Sequence, residues 1–90
     1  MFFDTIITDR SEVRVSRQYG WVTHKATDSL IGSIRCDGPG PTGAAIWRAY
    51  SGSVSDWTND RTSAIHKVID LWNMQEKARV YDMAKKAGRF

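Results

Sequence analysis

From Asn59 onward the chain runs without a glycine or proline until Gly88, and this stretch constrains the fold more than any other. Glycine and proline are the residues least tolerated inside a helix. Their absence predicts one long C-terminal helix over 59–87. Asn59 and Asp60 are favoured N-cap types, and the Asp60 carboxylate suits the positive end of a helix dipole. Gly88 suits the residue just past the last turn. At about 100° per residue, Ile65, Val68, Ile69 and Trp72 share an arc of about 100°, a buried stripe. The stripe then breaks: Glu76 and Arg79 fall at its centre, while Met74, Ala78 and Tyr81 gather on the opposite side. The expectation is a kink near Asn73, or a second half that leaves the sheet and buries another face as a dimer or partner-binding arm. A solvated, frayed tail is the bland alternative.

A helix with one apolar stripe needs a surface to cover, and residues 1–58 supply short strand-like segments. Phe2–Thr8 is rich in β-branched and aromatic residues and reads as a first strand. Glu12–Gln18 alternates, with Val13 and Val15 opposite Glu12, Arg14 and Ser16. Gly20 marks either a bulge or a hairpin turn, with Trp21–Lys25 as continuation or return strand. Leu30–Cys36 is the next strand, and Asp37–Gly43, with three glycines and two prolines, reads as an exposed hairpin loop. Ala44–Ser51 places Trp47 and Ala49 on one face and Ile46, Arg48 and Tyr50 on the other. Ser51-Gly52-Ser53 turns the chain into a short last strand, Val54–Trp57. The fold class expected is α+β: an antiparallel meander of about four or five strands (1–58) packed by the helix (59–87) in a single domain, 1–90. Trp47, Trp57, Ile65 and Trp72 are expected to form its core.

Composition bounds the rest. At 41% hydrophobic and 26% charged, the 90 residues match a folded domain with a modest core. The single cysteine, Cys36, excludes an internal disulfide, makes a structural zinc site a poor reading, and is expected as a small core residue. Residues 1–9 lack a basic region ahead of their apolar ones, unlike a signal peptide, and no apolar run nears the ~20 residues that span a bilayer. A cytoplasmic protein is expected, in a cell or in an infected host, with no membrane partner. Charge is uneven: Lys/Arg and Asp/Glu cancel over residues 1–75, and the whole +3 comes from Lys77, Arg79, Lys85, Lys86 and Arg89 against Glu76 and Asp82.

No catalytic set assembles. His24, expected on a strand surface, and His66, expected as a boundary residue after Ile65 on the helix, lie in different elements without the carboxylate spacing of a triad or metal site. No acid sits in an apolar run that would raise its pKa. The Asp37–Gly43 loop lacks the Gly-Lys-Ser/Thr ending of a phosphate-binding loop, and its prolines remove amides. No catalytic residue, cofactor or metal is therefore expected. A nucleic-acid partner has some support: the basic tail, with Arg14, Arg17, Arg35 and Arg48 beside Tyr19, Trp21 and Tyr50, offers phosphate contacts and stacking platforms. Lys77, Arg79, Lys85, Lys86 and Arg89 would carry that alternative, although no RNA-recognition, helix-turn-helix or zinc-finger signature is present.

At Ile46-Trp47-Arg48-Ala49-Tyr50, then Trp57, then Asp60–Ile65, the chain resembles small phage-encoded accessory proteins, in which a Trp-containing hairpin leads directly into a sheet-covering helix. The resemblance spans about a third of the chain and is one of architecture. It implies a non-enzymatic protein that occupies a surface on a host enzyme or defence complex, as anti-CRISPR proteins do. Trp21, Arg48, Tyr50, Arg79 and Tyr81 are the residues expected to touch a protein partner, since Trp, Tyr and Arg dominate interface hot spots. A homodimer joined through the second half of the helix is the remaining alternative.

Overall fold

The computed structural model describes residues 6–41, 43 and 45–86, with side chains described for all of these except residues 80 and 83–86. It shows a five-stranded antiparallel sheet in the order β1-β2-β3-β4-β5, each strand beside its sequence neighbour. The strands are β1 (Val13–Val15), β2 (Trp21–His24), β3 (Ser29–Pro39), β4 (Ala45–Ser51) and β5 (Val54–Thr58). One helix, α1 (Arg61–Lys86), covers one face. This is the expected α+β meander.

Turn chemistry sets the order. Gly20 adopts φ +68, a region that side chains other than glycine rarely enter. Its N–H donates to Ser16 C=O while its own C=O accepts from Ile34 N–H. Gly20 is therefore a hairpin turn, and Trp21–His24 is the return strand. A two-residue link, Gly52-Ser53, joins β4 to β5 in the register Ser51↔Val54. At the helix start, Asp60 Oδ1 accepts from Ser63 N–H at 2.8 Å and Oδ2 from the Ser63 hydroxyl at 2.9 Å. These bonds satisfy helix donors that would otherwise lack partners.

The core lies between helix and sheet. Val13, Val22, Ile31, Ile34 and Ala49 from the strands meet Ala64, Ile65, Val68, Ile69 and Leu71 from α1, with Ile7 at the margin. Trp47 and Trp72 pack against this cluster and are partly buried. Complete burial of a side chain such as Val68 contributes about 1.5–3 kcal/mol. The closest approach is at Gly32, opposite Val22 on β2. A Cβ built there would collide with the Tyr50 carbonyl oxygen and lie 2.6 Å from Val68 Cγ1.

Several expectations are corrected. Residues 2–5 of the Phe2–Thr8 strand lie outside the described residues, and Ile6–Thr8 is in no strand. Ile7 is instead held by a side chain: its N–H donates to Asn73 Oδ1 at 2.9 Å, and Asn73 Nδ2 donates to its C=O at 2.7 Å. The Glu12–Gln18 strand shrinks to Val13–Val15, because Glu12 closes a 3-10 turn, Arg10–Glu12, capped by Asp9. Simple alternation fails in β3, where a register shift opposite Val22 and Thr23 lets both Ile31 and Ile34 face the core. β3 also runs through Pro39, into the stretch expected as loop. Trp57, expected in the core, is 57% exposed, and Cys36 is exposed as well. His24, expected on the surface, is buried, with Nδ1 3.2 Å from Thr27 Oγ1.

α1 is continuous through Asn73 and turns no other face inward among the described residues. Its buried stripe continues through Glu76, 8% exposed, whose carboxylate accepts from Arg79 at 2.7 Å. Arg79 thus lets a carboxylate sit where an apolar residue would be expected. Met74, Ala78 and Tyr81 are exposed.

Two substitutions check this packing. Gly32→Ala should lower the urea midpoint by an amount equivalent to about 1–3 kcal/mol or more, with the slope of the transition unchanged. Asn73→Ala should cost about 1–3 kcal/mol and selectively speed amide exchange at Ile7. Unchanged exchange there would remove Asn73 as the tether.

Candidate functional site

The site follows from parity. Ala49 and Ser51 are buried on the helix side of β4, so Arg48 and Tyr50 point to the opposite, uncovered face. Cross-strand partners share a face. One row across the sheet is therefore Trp21, Ser33, Tyr50 and Ser55, and the next is Arg35, Arg48 and Trp57. Thr23 and Leu30 form a third pair beyond Trp21. With neighbouring strands about 4.8 Å apart, Trp21 and Tyr50 stand roughly 10 Å from each other. Tyr19, in the turn before β2, stacks on Trp21 with ring centroids 5.0 Å apart and planes inclined by 24°.

The face is rich in exposed apolar and aromatic surface. Trp21 is 52% exposed, Trp57 57%, Tyr19 58% and Leu30 60%, while Tyr50 is half-buried among its neighbours. Amid a folded chain's ordinary scatter of exposed apolar groups, contiguity is what matters. Here the register brings these residues onto one side.

Arg35 and Arg48 are direct cross-strand partners, a like-charge pairing that opposes sheet formation. Asp37, two residues beyond Arg35 on the same face, resolves it. Arg35 Nε donates to Asp37 Oδ1 and Arg48 Nε to Oδ2, each at 2.6 Å. The hydrogen bond from Arg35 is the main reason the Asp37 carboxyl is held below the usual aspartate range, opposed by partial desolvation and reinforced by Arg48. Arg14 pairs with Asp28 at 3.1 Å, both largely exposed, a contact of little energetic weight. Three guanidiniums thus face two carboxylates, and the sheet surface is only mildly cationic.

Of the residues expected to touch a protein partner, Trp21, Arg48 and Tyr50 come together on this face. Arg79 and Tyr81 do not; they lie on α1, on the other side of the sheet, and Arg79 is engaged by Glu76. Of the nucleic-acid set, Lys77 is exposed, Lys85 and Lys86 lie in the last turn of α1, and Arg89 falls outside the described residues. Trp57, Leu30 and Asp37 were not among the expected contacts. Trp57 was within reach of the sequence: a two-residue turn at Gly52-Ser53 forces Arg48 to pair with Trp57, and so onto the face already assigned to Arg48.

Among the described residues no group of three or more His, Cys, Asp or Glu is placed to hold a metal ion. No helix of the described chain is long and apolar enough to cross a membrane. No protein-family model matches the chain, and no characterised protein or solved structure is significantly similar to it.

The Asp37 clamp makes a pH prediction. Because its carboxyl is lowered in the fold, the interaction is present above the ordinary aspartate pKa and is lost as pH falls through the lowered value. A carbon-detected NMR titration should give Asp37 a midpoint below about 3.9, moving upward in Arg35→Gln. A midpoint at or above that value in the wild type would mean the clamp is not formed.

Proposed function

We propose that this chain is a non-enzymatic binding protein that docks a protein partner on the uncovered face of its sheet. In this reading it is a phage-type inhibitor that occupies a surface of a host enzyme or defence complex in the host cytoplasm. One observation carries the proposal: Trp21, Trp57, Tyr19 and Leu30, all more than half exposed, share one face with Arg48 and Tyr50. Trp, Tyr and Arg supply most hot-spot energy in protein complexes. The stacked Tyr19–Trp21 pair is already ordered, which reduces the entropy lost on docking. Five strands of this length present a face roughly 20 Å by 20 Å, the same order as the ~800 Å² each partner contributes to a stable complex.

The charge arrangement favours protein over nucleic acid. Each arginine on the face has a carboxylate partner, whereas nucleic-acid affinity draws on cations available to displace counterions. The helix-seam homodimer draws its support from exposed Met74 and Tyr81, a smaller and more dispersed apolar surface than the sheet face.

Affinity capture from host lysates tests the reading with three baits: wild type, Trp21→Ser/Trp57→Ser, and Met74→Ser. The expected result is a protein retained by wild type and by Met74→Ser, with affinity reduced on the order of 30-fold or more for the double variant. The reading fails if captured proteins are the same for all three baits. Capture of nucleic acid in place of protein would also overturn it.

A further inference from the structure

A second candidate site lies at the end of the sheet. β2 pairs with β3 only as far as Trp21↔Ser33, and the last hydrogen bond on that side runs from Ile34 N–H to Gly20 C=O. From Arg35 onward β3 has no partner strand there among the described residues. The alternation that sends Ile34 N–H toward Gly20 sends Cys36 N–H the same way. The step leaves a half-open cavity of about 240 Å³ between the β1–β2 turn, the far end of β3 and the first residue of α1, with Arg17, Arg35, Cys36 and Arg61 in its lining.

We propose that this cavity binds a phosphate-type oxyanion, either free or as the end group of a small phosphorylated molecule, held by Arg17, Arg35, Arg61 and the Cys36 amide. Arg17, Arg35 and Arg61 are among the lining residues and no Asp or Glu is. Of the three, only Arg35 is matched by an aspartate, Asp37 on the sheet face. Neither the Arg17 nor the Arg61 side chain makes a hydrogen bond or ion pair among the described residues. Arg35 spends only Nε on Asp37, which leaves its two terminal nitrogens as donors. Asp60, next to Arg61, is turned to Ser63 by two hydrogen bonds and is not part of the lining. Arg17 and Arg61 thus leave positive charge for an anion to offset, and the planar guanidinium fork matches the oxygens of phosphate. The volume falls below the ~300–1,000 Å³ of sites for drug-sized ligands, which suits a small anion. Tyr19 and Trp47 add aromatic walls against which the organic part of an ester would rest.

The test is a ¹H–¹⁵N NMR titration of the full chain with inorganic phosphate, against sodium chloride at matched ionic strength. A second titration uses a nucleoside 5′-monophosphate. Saturable shifts centred on Gly20, Cys36 and the Arg17 and Arg61 side chains are expected with phosphate and not with chloride. Arg17→Gln and Arg61→Gln, at exposed positions, should each weaken binding about tenfold, and Arg14→Gln should leave it unchanged. Tighter binding of the monophosphate would identify an ester as the source, and equal affinity the free ion. Non-saturating shifts shared with chloride would overturn the proposal, as would wild-type affinity in both the Arg17 and Arg61 variants. Neither result depends on the sheet face, so this site and the protein-docking reading stand or fall separately.

Discussion

The helix can sit flat on the sheet because Gly32 has no side chain. Val68 presses into the space a Cβ would fill, and on the same residue the Tyr50 carbonyl closes in from β4. This contact fixes the depth and position at which α1 meets the middle strand. Once Val68 is seated there, Ile65, Ile69 and Leu71 come into reach of Val22, Ile31, Ile34 and Ala49. Peripheral ties complete the docking. Gln75 Nε2 donates to Ser51 C=O at 2.9 Å, and the Ser51 hydroxyl donates to Ile31 C=O at 2.7 Å. The interior of the domain is therefore one layer of side chains thick. With α1 committed to one face, everything that alternates away from it is left to solvent.

That consequence links packing to the proposed function. In a two-layer α+β domain of this size, one sheet face is buried and the other is not. The uncovered face would ordinarily be polar, as the serines at positions 33 and 55 are. Here two tryptophans, a tyrosine stack and a leucine occupy it instead. Exposed as they are, they contribute little to the core. Association with a partner supplies a reason for them that folding does not.

Much of the fold was legible because its signals are local. The Gly- and Pro-free run marked the helix, alternation marked β4, and the Asp60 cap lay where residue type placed it. What failed depends on pairing. The shift that turns both Ile31 and Ile34 inward belongs to the β2–β3 register and has no signature in β3 alone. Ile7 read as part of a strand from its β-branched and aromatic neighbours, whereas Asn73, 66 residues away, supplies the hydrogen bonds a partner strand would. Glu76 looked like an interruption because its residue type is polar, whereas its hydrogen bond from Arg79 on the same helix face lets it stay buried. The site was half visible: Trp21, Arg48 and Tyr50 were expected contacts, whereas Asp37 was lost in a segment whose glycines and prolines read as loop. Hydrophobicity placed Trp57 in the core, and strand register places it on the surface.

For the proposed docking, the sheet edges bear on the mode of contact. An exposed edge strand invites another strand to pair, so a binding protein with open edges can work by strand addition as readily as by its face. β1 offers only three residues, too short a template. On β5 the two-residue turn pairs Ser51 with Val54, which by alternation leaves Trp57 N–H pointing outward. That donor is taken by the Asp56 carboxylate at 2.8 Å, and Asp56 is also 3.4 Å from Lys67 of the helix. The N–H is satisfied from its own strand, and a carboxylate stands in the path of any incoming backbone. Both outer edges are thus blunted while the face keeps its aromatic side chains uncovered. Apart from the unpaired far end of β3, the proposed docking would therefore run through side chains, with specificity set by the spacing of Trp21, Tyr50 and Trp57.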